Sequence, residues 1–139
     1  MKKIFLLPIL FLLMLSSCSS DDSVTVSEEK LTRKWYYKSY QANGTTDAYE
    51  HLPCAKDYVE FLDNGTYIEY YITNCNPTSI GNSTGSWILE GSTVAVAIDG
   101  ENYSGKVTKL TTTDLQLTLT ADYDDDGDEE KVRVNFTSN

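Results

Sequence analysis

Five aspartates within seven residues, from Asp122 to Asp128, form the densest group of potential metal ligands in the chain. Their D-x-D-x-D-G spacing matches the first half of a calcium-binding loop, where alternate carboxylates face the ion and a glycine turns the backbone. The twelfth position of such a loop supplies a bidentate glutamate, but here it is Arg133. We therefore interpret the segment as an acidic hairpin loop and keep weak calcium binding as the alternative. The candidate ligands are Asp122, Asp124, Asp126 and Asp128, and no other cofactor is predicted.

Cys18 is the residue with the most specific sequence context. Lys2 and Lys3 precede an apolar run from Ile4 to Leu15, which is too short to cross a bilayer as a helix and is typical of a secretory signal peptide. Leu15-Ser16-Ser17-Cys18 resembles a bacterial lipobox, and this resemblance implies cleavage after residue 17 and lipidation of the Cys18 thiol. An ordinary cysteine that follows a plain signal peptide is the alternative.

The residues after Cys18 predict where the lipoprotein is exported. Ser19-Ser20-Asp21-Asp22 resembles the acidic signal that follows the lipidated cysteine in lipoproteins of Bacteroidota and directs them to the outer leaflet. This resemblance implies an outer-membrane protein, lipid-anchored through Cys18, that faces the cell surface. The periplasmic face of the membrane is the alternative.

The mature chain is strongly acidic. Cleavage after residue 17 removes Lys2 and Lys3 and leaves 9 basic against 21 acidic residues, a formal charge of −12. Nucleic-acid binding needs clustered lysine or arginine, so no nucleic-acid partner is expected. Because an acidic surface is also repelled by anionic lipid, attachment to the membrane must come from the acyl chains on Cys18.

Cys54 and Cys75 remain in the mature chain after cleavage. An even pair of cysteines in an oxidising compartment is typical of a disulfide. With His51 the pair could instead suggest a metal site, but zinc needs three or four ligands and the chain has no second histidine. We predict a Cys54–Cys75 disulfide and no metal or cysteine nucleophile at this place.

Period-two alternation of apolar and polar residues recurs through the mature chain and predicts an all-β fold. One helical turn at 27–31 is expected before the first strand. Tight turns such as Asp99-Gly100 make consecutive strands antiparallel, and eight such strands can close into a barrel. The predicted strands are Arg33–Tyr40, Asp57–Asp63, Thr66–Thr73, Thr84–Glu90, Ser92–Ile98, Glu101–Leu110, Asp114–Thr120 and Glu129–Phe136.

The same alternation predicts which side chains face the barrel interior. In each of the last two strands the apolar residues share one face, while their polar neighbours share the other. The inward residues are Leu115, Leu117 and Leu119, followed by Val132, Val134 and Phe136. One dry and one wet face are typical of a closed barrel or a sandwich.

The Asn64-Gly65 dipeptide sets the predicted register of the second hairpin. As a two-residue turn it places Asp63 opposite Thr66. Extended along both strands, this register places Cys54 opposite Cys75, which agrees with a disulfide between them. The residues expected on the inner face of this hairpin are Val59, Phe61, Ile68 and Tyr70.

The predicted register also brings two carboxylates together, because Glu60 then faces Glu69. Paired carboxylates can hydrolyse glycosides. We favour two solvated glutamates on the outer face of the sheet, since that face lies opposite an apolar interior. The chain contains no Ser-His-Asp set and no phosphate-binding glycine loop, so no enzyme is predicted.

Three motifs in this strand order resemble the lipocalin-like lipoproteins of Bacteroidota. They are Leu31-Thr32-Arg33-Lys34-Trp35, the YVEFLDNGTY hairpin at 58–67, and Gly85-Ser86-Trp87. The resemblance covers residues 30–136 and implies a small eight-stranded antiparallel up-and-down barrel in which Trp35 closes one end. Arg33 replaces the glycine of the G-x-W motif with which other lipocalins begin the first strand.

The predicted domains are a signal peptide at 1–17, a lipidated acidic tether at 18–29 and a lipocalin-like barrel at 30–139. The resemblance implies that the barrel binds a small hydrophobic ligand. The candidate interior residues are Trp35, Tyr37, Phe61, Tyr70 and Trp87. The alternative is a barrel with a filled core, which binds or inhibits a protein partner through the connections Gln41–Pro53 and Asn74–Ser83.

Overall fold

The computed structural model describes residues 24–76 and 78–139, so the predicted signal peptide, Cys18 and Ser19–Asp22 lie outside the described residues. The elements are α1 (Glu28–Leu31), β1 (Lys34–Ala42), β2 (Thr45–Ala48), β3 (Tyr58–Phe61), β4 (Thr66–Cys75), β5 (Thr78–Glu90), β6 (Thr93–Ile98), β7 (Glu101–Leu110), β8 (Asp114–Ala121) and β9 (Glu130–Thr137). Within the described ranges, no helix is long and apolar enough to cross a membrane.

Eight strands form a closed antiparallel barrel, which confirms the predicted all-β, up-and-down architecture. Strands β3 to β9 pair in chain order, and β9 pairs back with β1. The other edge of β1 is shared, because residues 34–36 pair with β3 and residues 39–42 pair with β2. β2 is therefore a short ninth strand that continues the position of β3 along β1.

β2 is missing from the sequence-based prediction, which treats Gln41–Pro53 as one connection. Asn43 and Gly44, with φ values of 49° and 79°, form a two-residue turn that joins β1 to β2. All four side chains of Thr45–Ala48 are exposed. A strand that buries no face carries no alternation of apolar and polar residues, and this is why the sequence does not reveal it.

The prediction of a loop at Asn74–Ser83 is wrong, because most of this segment is strand. β4 continues to Cys75, and β5 begins at Thr78, directly opposite it. Cys75 is bonded to Cys54 with a Cα–Cα distance of 5.6 Å, which confirms the predicted disulfide. Cys54 lies before β3 and outside the ladder, so the disulfide joins the loop at 49–57 to the end of β4.

The β3–β4 hairpin has a different register from the predicted one. The Leu62 N–H donates to the Thr66 carbonyl oxygen at 2.9 Å, and the Gly65 N–H donates to the Leu62 carbonyl oxygen at 3.1 Å. The connection is thus a three-residue loop in which Gly65 has a φ of 79°. Val59 lies opposite Glu69. Because side chains alternate along a strand, this shift of one residue exchanges the two faces of β4.

Ile68 and Tyr70 are consequently on the outer face of the barrel, and their predicted inward orientation is wrong. Tyr70 lies opposite Tyr58, and the two rings stack with their centroids 4.6 Å apart. Tyr70 is therefore removed from the candidate ligand-binding residues.

The two glutamates of this hairpin do not face each other. Glu60 lies opposite Ile68 on the outer face, whereas Glu69 lies opposite buried Val59 on the inner face. The predicted pair of carboxylates is wrong for the same reason as the predicted position of Tyr70. The structure has instead a single carboxylate, that of Glu69, on the inner face of this hairpin.

The barrel end at which β1 begins is filled by large side chains. Leu31 and Trp35 are fully buried, and the Trp35 Nε1–H donates to the Leu31 carbonyl oxygen at 2.9 Å, which fixes α1 across this end. Phe61 and Trp87 pack edge to face with their centroids 5.3 Å apart. The Trp87 Nε1–H donates to the Leu62 carbonyl oxygen at 2.9 Å, so both indoles keep a hydrogen bond inside the core.

The inward rows of β8 and β9 agree with the prediction. Four of these residues are buried, namely Leu115, Val132, Val134 and Phe136. Leu117 and Leu119 are partly buried and pack against the same core. Val24 and Val26, from the segment predicted as a tether, also pack against it.

Candidate functional site

An interior cavity of about 290 Å³ lies between the filled end of the barrel and its open end. Most of its wall is apolar and comes from inward residues of four strands, namely Val59, Phe61, Val96, Ile98, Leu117 and Phe136. Asp99 in the β6–β7 turn and Tyr103 in β7 also line it and are exposed. The cavity therefore opens to solvent beside this turn.

Glu69 places a carboxylate in the wall of this cavity. The Tyr37 hydroxyl donates to Glu69 Oε1 at 2.6 Å. Burial raises the pKa of Tyr37 well above its ordinary value, and nearby Tyr67 and the negative charge of Glu69 raise it further. Tyr37 therefore stays protonated at any physiological pH and acts as the donor in this pair.

Aromatic rings hold Tyr37 in place from two sides. Its ring stacks on Tyr49 with a centroid distance of 4.9 Å and packs against Phe136 at 5.0 Å. The register of β1 against β9 shifts between Tyr37 and Ser39, which marks a β-bulge. Bulges commonly redirect a side chain near a site, and here the bulge follows the residue that hydrogen-bonds Glu69.

Side chains of the loop at 49–57 form hydrogen bonds that hold the backbone of β1 and β4 next to the cavity. The Tyr49 hydroxyl donates to Asp57 Oδ2 at 2.5 Å, and Asp57 Oδ1 accepts the Ile72 N–H at 2.7 Å. His51 Nδ1 accepts the Asp57 N–H at 3.0 Å, so Nε2 carries the proton and donates to the Tyr37 carbonyl oxygen at 2.8 Å. The loop thus connects β1 to β4 through its side chains.

This geometry leaves His51, Cys54 and Cys75 with structural roles. Both ring nitrogens of His51 are engaged with backbone groups, and the two cysteines are bonded to each other. The two cysteines thus form the predicted disulfide, and His51 holds the loop through its hydrogen bonds.

The structure separates the five residues predicted to form a ligand site. Phe61 lines the cavity, and Tyr37 reaches it through Glu69. Trp35 and Trp87 belong to the filled end, while Tyr70 is outside. Sequence reasoning missed Glu69 and Tyr67, the inward pair of β4, and the signal that could have found them was the hairpin register.

The acidic loop brings together a different set of carboxylates from the predicted one. Oxygens of Asp122, Asp124 and Glu130 lie within 4.8 Å of one another, and Asp126 and Asp128 are not part of this group. Asp122 Oδ1 accepts the Asp126 N–H at 3.1 Å, so this carboxylate already stabilises the turn. Calcium binding at the predicted ligands stays a prediction.

The comparison with protein families agrees with the barrel and its order of strands. The model of the lipocalin-like domain matches residues 31–117. The chain belongs to the lipocalin-like domain family. This family has a binding fold that is typically non-enzymatic. Among curated proteins, no sequence matches the chain.

Several solved structures have the same fold as this lipocalin-like chain. A lipocalin-like protein from Bacteroides uniformis ATCC 8492 is 15% identical with a TM-score of 0.60, and the match covers 79% of this chain and 99% of that one. An uncharacterized protein from Bacteroides eggerthii DSM 20697 is 14% identical with a TM-score of 0.59, over 78% and 99% of the two chains. Lobster apocrustacyanin A1 is 11% identical with a TM-score of 0.50, over 81% of this chain and 63% of that one.

Proposed function

We propose that this barrel binds a small hydrophobic molecule in its interior cavity. The observation that carries the proposal is the cavity itself, because Trp35, Phe61 and Leu115 fill only one end and leave about 290 Å³ beyond them. An apolar cavity of about 150 Å³ is already large enough to bind benzene. Sites for drug-sized molecules begin near 300 Å³. The ligand is therefore a molecule of about one or two rings, or an aliphatic molecule of similar volume.

The test is binding of 6-propionyl-2-(dimethylamino)naphthalene, a two-ring dye whose fluorescence shifts to the blue in apolar surroundings, and its displacement by small hydrophobic compounds. We expect saturable binding to the full-length protein. A Leu117→Phe substitution adds a ring to the cavity wall and should weaken dye binding at least about tenfold. Ile80→Phe is the matched control, because it adds the same ring at a side chain that is 57% exposed.

Two results would contradict the proposal. If wild-type protein binds neither the dye nor any of the compounds, the cavity does not admit ligands. If both phenylalanine variants bind the dye as the wild type does, the dye binds to the surface and not to the interior.

We also propose that the protein is an outer-membrane lipoprotein that is anchored through Cys18 and faces the cell surface. The lipobox and the acidic Ser19–Asp22 segment support this proposal. A Cys18→Ser substitution should abolish incorporation of a labelled fatty acid and move the protein to the aqueous phase of a detergent partition. Protease added to intact cells should remove the wild-type barrel, whereas protection until the cells are lysed would favour the periplasmic face.

A second candidate function is binding of a protein partner by the β4–β5 hairpin. It is favoured by Ile80, which is 57% exposed and lies opposite the partly buried Ile72 on one face of this hairpin. The substitution Ile80→Asp should then abolish chemical cross-linking of the protein to its partner and leave dye binding in the barrel unchanged. Loss of dye binding in this variant would instead show damage to the barrel.

A further inference from the structure

On the basis of the binding function proposed above, we further propose that the ligand is a monoamine, an apolar molecule with one protonated amino group that pairs with Glu69. The inference combines the apolar wall of the cavity with the single carboxylate that lies inside it. It narrows the ligand class from hydrophobic molecules in general to hydrophobic cations.

Charges around the cavity are of one sign. Its charged lining residues are Glu69 and Asp99, and no lysine, arginine or histidine lines it in the described part of the chain. Basic side chains lie instead on the outer face of β7 and β9, where Lys106, Lys131 and Arg133 line a separate groove. An anionic ligand such as a fatty acid would meet only negative charge inside the barrel.

Glu69 has one oxygen available for a ligand. Oε1 accepts the Tyr37 hydroxyl, whereas Oε2 accepts no hydrogen bond from the described residues. The described residues form one ion pair, Lys109–Asp114, which is on the surface, so Glu69 has no cationic partner. Glu69 is partly buried, and a ligand that fills the cavity removes water from its carboxylate. This desolvation costs free energy unless the carboxylate gains a charged, hydrogen-bonding partner, and an ammonium group supplies both the charge and the donors.

Other donors match this site less well. A hydroxyl group would satisfy one lone pair of Oε2 but would leave the charge of Glu69 without a partner. Hydrogen bonds between two ionised groups are roughly twice as strong as those between neutral groups. We expect one amino group in the ligand and not two, because the second carboxylate, Asp99, is exposed at the rim and not enclosed by the apolar wall.

The remaining parts of the site fit an aromatic or branched hydrocarbon body. Tyr67 and Phe61 lie side by side in the wall with their ring centroids 5.3 Å apart, and such rings also attract cations. The net charge of the chain, −10, adds a long-range attraction for cations that approach the open end.

The experiment compares three ligands that share an indole ring and differ in charge: tryptamine, 3-methylindole and indole-3-propionate. Their affinities for the full-length protein are measured at pH 7 by calorimetry. We expect tryptamine to bind at least about tenfold more tightly than 3-methylindole, and indole-3-propionate to bind more weakly than either. Since this series needs no substitution, it tests the proposal even if a variant fails to fold.

The substitution Glu69→Gln keeps the size of the side chain and removes its charge. We expect it to lower the affinity for tryptamine about tenfold or more and to leave 3-methylindole within about twofold. Glu60→Gln, on the outer face of the neighbouring strand, is the matched control for the loss of one negative charge and should change neither affinity.

The outcomes separate this proposal from the binding function on which it rests. If none of the three compounds and no dye binds, the binding function itself fails. If 3-methylindole binds as tightly as tryptamine, or if Glu60→Gln weakens tryptamine as much as Glu69→Gln does, the cavity binds hydrophobic molecules without the amine pairing and the present proposal is overturned.

Discussion

A Tyr37→Phe substitution tests whether the hydrogen bond inside the barrel holds β1 and β4 together. The change removes one hydroxyl group and keeps the ring, so the contacts of Tyr37 with Tyr49 and Phe136 remain. A hydrogen bond to a charged group contributes about 1.5–3 kcal/mol to stability. Glu69 is only partly buried, which places the expected loss at the lower end, about 1.5–2 kcal/mol.

The assay is equilibrium unfolding in urea. A domain of this size has an m value of about 1.5–2 kcal/mol/M, so the midpoint should fall by about 1 M with m unchanged. Tyr36→Phe is the matched control, because Tyr36 is the next residue along β1, its side chain lies on the outer face, and its hydroxyl makes no hydrogen bond to the described residues. Its loss should remain below about 0.5 kcal/mol.

A double-mutant cycle with Glu69→Leu then assigns the loss to the pair. With the carboxylate gone, Tyr37→Phe should have little further effect on stability. If Tyr37→Phe costs as much without Glu69 as with it, the hydroxyl stabilises the barrel through another partner. If both single tyrosine variants lose the same stability, the reasoning from the interior hydrogen bond is wrong.

Three further expectations concern stability. Replacing Cys54 and Cys75 by serine removes a cross-link between residues 21 apart in sequence, and the free energy of unfolding should fall by about 3 kcal/mol in non-reducing urea titrations; an unchanged midpoint would contradict this. Burial, followed by the charge of Glu69, raises the pKa of Tyr40 from 10 to about 12, so the native state keeps a proton that the unfolded chain loses, and stability should fall as pH rises from 10 to 12; urea midpoints that stay level across this window would refute it. A Cβ atom at Gly85 would collide with the Ala97 carbonyl oxygen, whereas one at Gly105 would be 3.6 Å from its nearest neighbours. Gly85→Ala should therefore lose about 1–3 kcal/mol and Gly105→Ala almost none, and equal thermal midpoints for the two variants would show that the close approach of Ala97 has no energetic consequence.

Local sequence signals were sufficient for most of the barrel. The β6–β7 turn is the two-residue type that Asp99-Gly100 predicts, with φ values of 52° and 87°. The alternation in β8 and β9 correctly assigns their inner faces, because each strand has apolar residues at only one parity. These features depend on residues that are close in sequence, and turn chemistry and alternation record them directly.

The faces of β4 could not be read from the sequence in this way. Asn64-Gly65 fits both a two-residue turn and the three-residue loop that forms here, since each needs a glycine with positive φ. β4 also carries large side chains at both parities, as Tyr67 and Tyr71 alternate with Ile68 and Tyr70. The register of this hairpin is selected by packing against the neighbouring strands, whose residues are distant in sequence.

The candidate site was hidden for the same reason. A glutamate on a strand is normally assigned to the outer face, and here the favoured assignment paired Glu69 with Glu60. Its inward position is stabilised by the Tyr37 hydroxyl, which comes from a residue 32 positions earlier in the chain. The charge inside the barrel is thus a tertiary property that periodicity does not report.

The division of β1 between two partners has a consequence for hydrogen exchange. Only three residue pairs join β1 to β3, and beyond them the wall between β1 and β4 is completed by side chains of the loop at 49–57. The Cys54–Cys75 disulfide keeps this loop attached to the end of β4, but local opening at His51 and Asp57 separates no paired strands. The free energy of this opening therefore lies below that of global unfolding. The Ile72 amide, whose acceptor is the Asp57 carboxylate, should then lose its proton to solvent well before the amides of the β8–β9 ladder.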